Sequence, residues 1–152
     1  MRKIRGLKNA EWLVEAPKFK ENIKTAAQKN GLRYEKRVQS MLKWTYGDEG
    51  EVRLGPWISF KDSLGSSICQ PDAVVIPFDK SKPVIVVEVK LSCVKAARAK
   101  LKSLYGRLVS HILERKVSYV QVYKNKVGVE RSVDFTGFLT LRAGEYRECH
   151  YV

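Results

Sequence analysis

Val84-Ile85-Val86-Val87-Glu88-Val89-Lys90 carries two charges inside an otherwise aliphatic run. A run this hydrophobic reads as a central strand covered on both faces. The strand period of two sets Val84, Val86, Glu88 and Lys90 on one face and Ile85, Val87, Val89 and Leu91 on the other. An unpaired carboxylate in such a layer is costly enough to shift its pKa or to demand a cation. Lys90, two residues on, offers an ion pair as one answer. Upstream, Gln70-Pro71-Asp72-Ala73-Val74-Val75-Ile76 begins a second aliphatic strand with an aspartate at its entry, and one hairpin connection brings Asp72 beside Glu88. Two carboxylates and one lysine then converge. Carboxylates that close repel each other, so a purely structural arrangement leaves one of them protonated, whereas a divalent cation between them removes the conflict. Oxygen ligands with room for water suit magnesium or manganese.

Working outward, three extended segments are expected at about 51–60, 67–77 and 83–91, after a Gly47-Asp48-Glu49-Gly50 turn. Two helices precede them. The first, over 10–30, uses Trp12, Leu13, Phe19, Ile23 and Ala27 as apolar positions and ends at Asn30-Gly31. The second, over about 32–45, has Tyr34, Val38, Met41 and Leu42 on one side, with Glu35 at the edge of that stripe. Ser92 is the expected N-cap of a long helix reaching about Lys116, whose stripe is Val94, Ala97, Leu101, Leu104, Leu108 and Ile112. A strand at about 118–123 follows, then short strands and loops around Val133–Leu141. No repeat, low-complexity tract or linker divides the 152 residues, so a single domain is expected, of a size that folds without a metal or disulfide staple.

The composition, 44% hydrophobic and 30% charged, is globular. Apolar runs are too short to span a bilayer, and Met1-Arg2-Lys3-Ile4-Arg5 has no apolar stretch behind it. A membrane protein and a secretory signal are therefore set aside, and a cytoplasmic location is expected. Cys69, Cys93 and Cys149 have neither disulfide nor zinc spacing and read as reduced, buried small hydrophobes. The formal net charge of +13 points to a polyanionic partner, nucleic acid first. That excess is uneven: +6 over 1–33, −1 over 34–89, +9 over 90–131 and −1 over 132–152. A protein that only coats nucleic acid gains from positive charge throughout, so the acidic middle needs its own reason. Asp48, Glu49, Glu51, Asp62 and Asp79 read as solvated loop residues. Glu35, Asp72 and Glu88 stand apart from them.

Pro71-Asp72, fifteen residues, and then Glu88-Val89-Lys90 resembles the signature of the PD-(D/E)XK nuclease superfamily, and Glu35 in Gly31-Leu32-Arg33-Tyr34-Glu35 resembles its upstream helical acid. The resemblance covers about 31–123. It leaves a basic N-terminal extension, 1–30, and a C-terminal one, 124–152, outside. It implies an α/β fold with a restriction-endonuclease-like core, a mixed central β-sheet flanked by helices in αβββαβ order. It also implies Asp72 and Glu88 as ligands of Mg2+ or Mn2+ with the backbone carbonyl of Val89, Glu35 holding water at the metal or a second ion, and Lys90 orienting the attacking water. The activity implied is metal-dependent hydrolysis of DNA, by an endonuclease or exonuclease of repair, recombination or phage DNA processing, in a bacterial or phage-infected cytoplasm. The short basic chain and the Gly-x-x-x-Glu helix opening are similar to those of archaeal Holliday-junction resolvases, which implies a homodimer, whereas processive exonuclease action would imply a higher homo-oligomer or channel.

The chemistry fits these residue types. Phosphodiester hydrolysis needs an activated water, neutralised non-bridging oxygens and a stabilised leaving oxyanion, which a carboxylate-held cation can supply. A lysine adds a positive point charge and three donors beside the nucleophile. Gln70 is an auxiliary candidate. Lys95, Arg98 and Lys102 are candidate phosphate contacts on the helix after the motif. Trp44, Trp57 and Phe60 read as core rather than as base-stacking platforms, and His111 and His150 as bystanders without ligand spacing. The competing classes are a non-catalytic nucleic-acid-binding module on a nuclease-like fold, and a basic structural protein without a site.

Overall fold

The computed structural model describes residues 3–18, 23–92, 94–124 and 135–151. In chain order these form β1 (Asn9–Trp12), α1 (Ala26–Tyr46), β2 (Gly50–Leu54), β3 (Ile58–Asp62), β4 (Gly65–Cys69), β5 (Ala73–Pro77), β6 (Val84–Lys90), α2 (Lys95–Lys100), a π-helical turn (Leu101–Tyr105), α3 (Gly106–Leu113), β7 (Val117–Lys124), a 3-10 segment (Phe135–Thr140) and β8 (Tyr146–Tyr151). The chain is α/β. A five-stranded mixed sheet runs β2-β5-β6-β7-β8, and a three-stranded sheet runs β1-β3-β4. In the large sheet β2–β5 and β5–β6 are antiparallel, while β6–β7 and β7–β8 are parallel.

β6 is the middle strand, and Val84 through Val89 are all buried. Its alternation sorts two cores. Ile85, Val87 and Val89 meet Tyr34, Val38, Leu42 and Tyr46 of α1. On the opposite face Val84 and Val86 join Leu101, Leu104 and Leu108 and, from the small sheet, Ile58 and Phe60. Each such buried aliphatic or aromatic side chain contributes about 1.5–3 kcal/mol relative to exposure, which is why the two faces dictate register so firmly. No helix among the described residues is long and apolar enough to cross a membrane.

Several local expectations are corrected. The helix expected over 10–30 is not seen among the described residues before Ala26: Asn9–Trp12 is the short strand β1, paired with β3 through Ala10 and Phe60, and Pro17 would interrupt a helix there by removing an amide donor. Phe19 lies outside the described residues, and Ile23 is fully exposed. The first helix starts instead at Thr25, whose hydroxyl accepts from the Gln28 amide (3.2 Å) while the Gln28 side chain accepts from the Thr25 amide (2.9 Å). That helix runs straight through Asn30-Gly31. A glycine in mid-helix costs about 1 kcal/mol, less than burying even one residue of the Tyr34, Val38, Leu42, Tyr46 stripe.

The three long strands become five shorter ones. Gly55, at φ +56°, and Pro56 divide 51–60 into β2 and β3, which belong to different sheets. Gln70-Pro71-Asp72 divides 67–77 in the same way into β4 and β5. The helix after β6 is capped by Val94 rather than Ser92, and it stops at Leu113 with a π-helical turn inside it. Of the region around 133–141, residues 133 and 134 lie outside the described residues, and the rest is mainly the 3-10 segment. Trp44 is 85% exposed, because it lies two positions beyond Leu42 and so turns away from the α1 stripe. Trp57 is half-buried and Phe60 is buried. Asp62 is buried, not solvated: its carboxylate accepts from the amides of Arg5 (3.1 Å) and Leu64 (2.9 Å), fixing the segment that leads into β1. Asp48, Glu49, Glu51 and Asp79 are exposed. Cys149 is buried, Cys69 only half-buried, and burial pushes both thiols up to about 12; Cys93 lies outside the described residues.

Candidate functional site

β5 and β6 pair through Val75↔Ile85, Val74↔Val86 and Ala73↔Val87, and their ladder ends there. The next step of the register would set Asp72 against Glu88. Where the strands part, the Asp72 side chain takes over from the backbone: its Oδ2 accepts from the Val89 amide at 2.6 Å. The Asp72 carbonyl is held as well, by the Gly55 amide (2.8 Å) and by Nε2 of Gln39 (2.8 Å). The bend that splits β2 from β3 therefore also fixes Asp72. With both main chain and side chain tethered, this carboxylate is pre-positioned at little further entropic cost.

Glu88 is 3% exposed, and its Oε2 has no hydrogen-bond partner among the described residues. Burial first, and then the neighbouring Asp72 carboxyl, push its pKa up to about 9, against the opposing charges of Lys90 and Lys100. Glu35 reaches the same aspartate from α1. Its pKa is raised to about 7 by burial and then by Asp72, with Lys90 and Lys36 opposing, and Gln39 Nε2 lies 3.4 Å from its Oε1. Asp72 is thus the middle of a row, with Glu35 and Glu88 each within its influence. Among the described residues Lys90 closes no ion pair with either acid, so the simple Glu88–Lys90 salt bridge is not what neutralises the strand. Its charge nevertheless acts on both Glu35 and Glu88.

The remaining candidates divide. Val89 takes part through its amide. Gln70 is exposed and lies in the connection before Asp72 rather than on a strand face with it; its amide donates to the Gly55 carbonyl at 2.9 Å. Lys95, Arg98 and Lys102 are exposed on α2 and the π-helical turn, and Arg98 lies 4.7 Å from the Tyr146 ring centroid. None of the three is among the strongest charge influences on Glu35 or Glu88. His111 is exposed on α3, and His150 belongs to β8.

Sequence reasoning missed two participants. Lys100, half-buried, acts electrostatically on Glu88 and Cys69 and lies 5.2 Å from the Tyr105 ring centroid. It falls three residues after Ala97 and four before Leu104, a spacing that borders the apolar stripe and could have singled it out. Gln39 was equally legible as the residue one turn after Glu35. Tyr105, 2% exposed, has its hydroxyl pKa raised by burial and then by the charges of Glu88, Cys69, Asp72 and Glu35.

Fit to a cation rests on this donor set. Two tethered or buried carboxyls face each other and one buried oxygen lacks a partner, so Asp72 and Glu88 can hold a hard divalent ion whose remaining positions are filled by water. Among the described residues no group of three or more His, Cys, Asp and Glu is arranged to hold a metal ion. No protein-family model matches this chain, and no curated protein or solved structure is significantly similar to it.

Proposed function

We propose that this chain is a divalent-metal-dependent DNA nuclease whose large sheet is a restriction-endonuclease-like core. The observation that carries the reading is the buried Glu88 carboxyl beside Asp72, whose Oε2 has no partner among the described residues and on which the charges of Lys90 and Lys100 act. Buried polar atoms are rarely left orphaned, and when they are the reason is commonly a ligand or a reaction. Support also comes from the net charge of +13, which fits a polyanionic substrate.

Asp72 and Glu88 would hold Mg2+ or Mn2+, with the Val89 carbonyl available as a third oxygen. When bound, the ion supplies charge neutralisation at the phosphate, a more acidic water and stabilisation of the leaving oxygen. Lys90 holds the phosphate and water from the side of the strand and offsets negative charge as the water loses its proton. Glu35, on α1 beside Asp72, would hold water at the metal or a second ion. The exposed Lys95, Arg98 and Lys102 bind backbone phosphates away from the cut. Repair, recombination or phage DNA processing is the proposed setting, and a homodimer the expected assembly of a junction-type enzyme.

The test is a panel of supercoiled, linear, single-stranded and four-way-junction DNA, incubated with magnesium, with manganese and with chelator. Cleavage that needs metal, and falls by about 10²–10³-fold in Lys90→Ala while binding persists, is the expected result. Salt-sensitive binding of every DNA with no cutting under any condition would replace the nuclease by a non-catalytic nucleic-acid-binding module.

A further inference from the structure

Two concavities open where the first half of α1 meets the carboxyl ends of β6 and β7. One, of about 550 Å³, has Lys24, Glu35, Val89, Lys90 and Leu91 in its lining, so two of the candidate site side chains face directly into it. The other, of about 570 Å³, is lined by Asn30, Arg33, Tyr34, Arg37, Leu91 and Lys124. Leu91, 39% exposed, belongs to both, and the two adjoin across its side chain. The parallel register that pairs Lys90 with Tyr123 brings Leu91 and Lys124 to the same level at the strand ends. Arg33, Arg37 and Lys124 are exposed, no acid is among the described residues lining their concavity, and none of the three closes an ion pair among the described residues. Arg33 and Arg37 stand one helical turn apart, where like charges repel, on a helix with five Lys and Arg against the single acid Glu35. The Arg37 guanidinium lies 5.0 Å from the Tyr151 ring centroid, and the Tyr34 hydroxyl donates to the Tyr151 carbonyl at 2.8 Å, which holds one planar fork at the rim.

We propose that one sugar–phosphate strand of a nucleic acid runs through both concavities: its phosphates bind Arg33, Arg37 and Lys124, its path crosses the apolar Leu91, and it reaches Lys90 and the acids from the α1 side. The proposal rests on the nucleic-acid part of the nuclease reading and names the face that holds the strand at the cut. Lys95, Arg98 and Lys102, on the helix after β6, line neither concavity. A guanidinium fork matches two phosphate oxygens at once, and such contacts fix the position of a strand without reading its sequence. The strain of two like charges on one helix face is relieved when a polyanion lies between them.

Binding of a labelled DNA duplex of mixed sequence is followed by fluorescence anisotropy in EDTA, so that no cleavage intervenes, over a series of salt concentrations. The double variant Arg33→Gln/Arg37→Gln removes two phosphate contacts. It should lower the steepness of log affinity against log salt by about 2 and weaken binding roughly tenfold. Lys124→Gln, on a different element, should lower that steepness by about 1 and so does not depend on the integrity of α1. The control is Lys80→Gln/Lys82→Gln in the β5–β6 connection, separated from Lys90 by the length of β6, roughly 20 Å. It removes the same charge and should leave the salt dependence at its wild-type value. Equal losses in the control and in the α1 double variant would reduce the effect to net charge and overturn the proposal, as would no loss in the α1 double variant. Binding to phosphatidylserine vesicles that depends on Arg33 and Arg37, with DNA binding unchanged, would make the cleft a headgroup site and overturn it as well. Cleavage in magnesium with the α1 double variant binding as tightly as wild type keeps the nuclease and loses this path, whereas Arg33- and Arg37-dependent DNA binding without cleavage in any metal keeps the path and removes the nuclease.

Discussion

Glu88 illustrates a residue kept at a cost to the fold. Its carboxyl ionises at about 9 in the folded chain against an ordinary value of 4.5, because burial and the Asp72 carboxyl both disfavour the charge. The folded state therefore binds the proton more tightly than the unfolded one, and metal-free stability falls as pH rises from about 4.5 towards 9. Glu35 acts in the same direction between 4.5 and about 7. Thermal unfolding in chelator should show a melting temperature that declines from pH 6 to pH 8. In Glu88→Gln, which keeps the shape and loses the charge, that decline should shrink, and the protein at pH 8 should gain about 1–3 kcal/mol over wild type. A loss of stability in Glu88→Gln at pH 8 would show that the carboxylate is structurally satisfied and not held in reserve. Lys90 is the complementary case: it closes no ion pair among the described residues, so Lys90→Ala should change melting little while lowering turnover about 10²–10³-fold.

At the scale of the element, the start of α2 shows how a fold can replace a missing cap. Val94 at the N-cap position has no side chain to offer the helix amides. Gln121 on β7, fully buried, serves the segment instead: its Oε1 accepts from the Val94 amide at 2.8 Å, and its Nε2 donates to the Val94 carbonyl at 3.2 Å and to the Tyr146 hydroxyl at 2.8 Å. Because Gln121 also stands opposite Glu88 in the β6–β7 register, the strand carrying the acid and the helix carrying Lys100 are tied to one side chain. Gln121→Leu should cost about 2–3 kcal/mol in urea unfolding by orphaning these buried groups; a change below ~0.5 kcal/mol would mean that water serves the cap equally well. Such devices explain what sequence could and could not reveal. β6 was legible because its period of two and its aliphatic density leave a single strand assignment, and the Asp72–Glu88 adjacency followed from one hairpin. The division of β2 from β3 depended on Gly55 adopting a left-handed conformation fixed by Asp72 and Gln70, contacts distant in sequence. The first helix was misread because Pro17 was passed over and because the depth of the α1 stripe, which carries the helix through Gly31, shows only in the packed core.

For the whole molecule, the division of labour lies across the large sheet. One face packs against α1, which brings Glu35 and Gln39. The other packs against the helical segment after β6 and the small sheet, which bring Lys100, Tyr105 and Trp57. The acids lie where β5 and β6 part, between those two layers, and the formal net charge of +13 surrounds a locally acidic point. A polyanion drawn to such a chain meets carboxylates unless a cation intervenes, and this links the charge distribution to the site. The central claim is therefore that the Asp72–Glu88 pair exists to hold a divalent ion. Titration of Mn2+ into the wild-type protein and into Glu88→Gln at pH 7.5, followed by calorimetry, tests it most directly. The wild type should bind with proton release, since a carboxyl that ionises near 9 must give up its proton to become a ligand, and the variant should lose most of that affinity together with the released proton. Equal binding by both proteins, or none by either, would contradict the account.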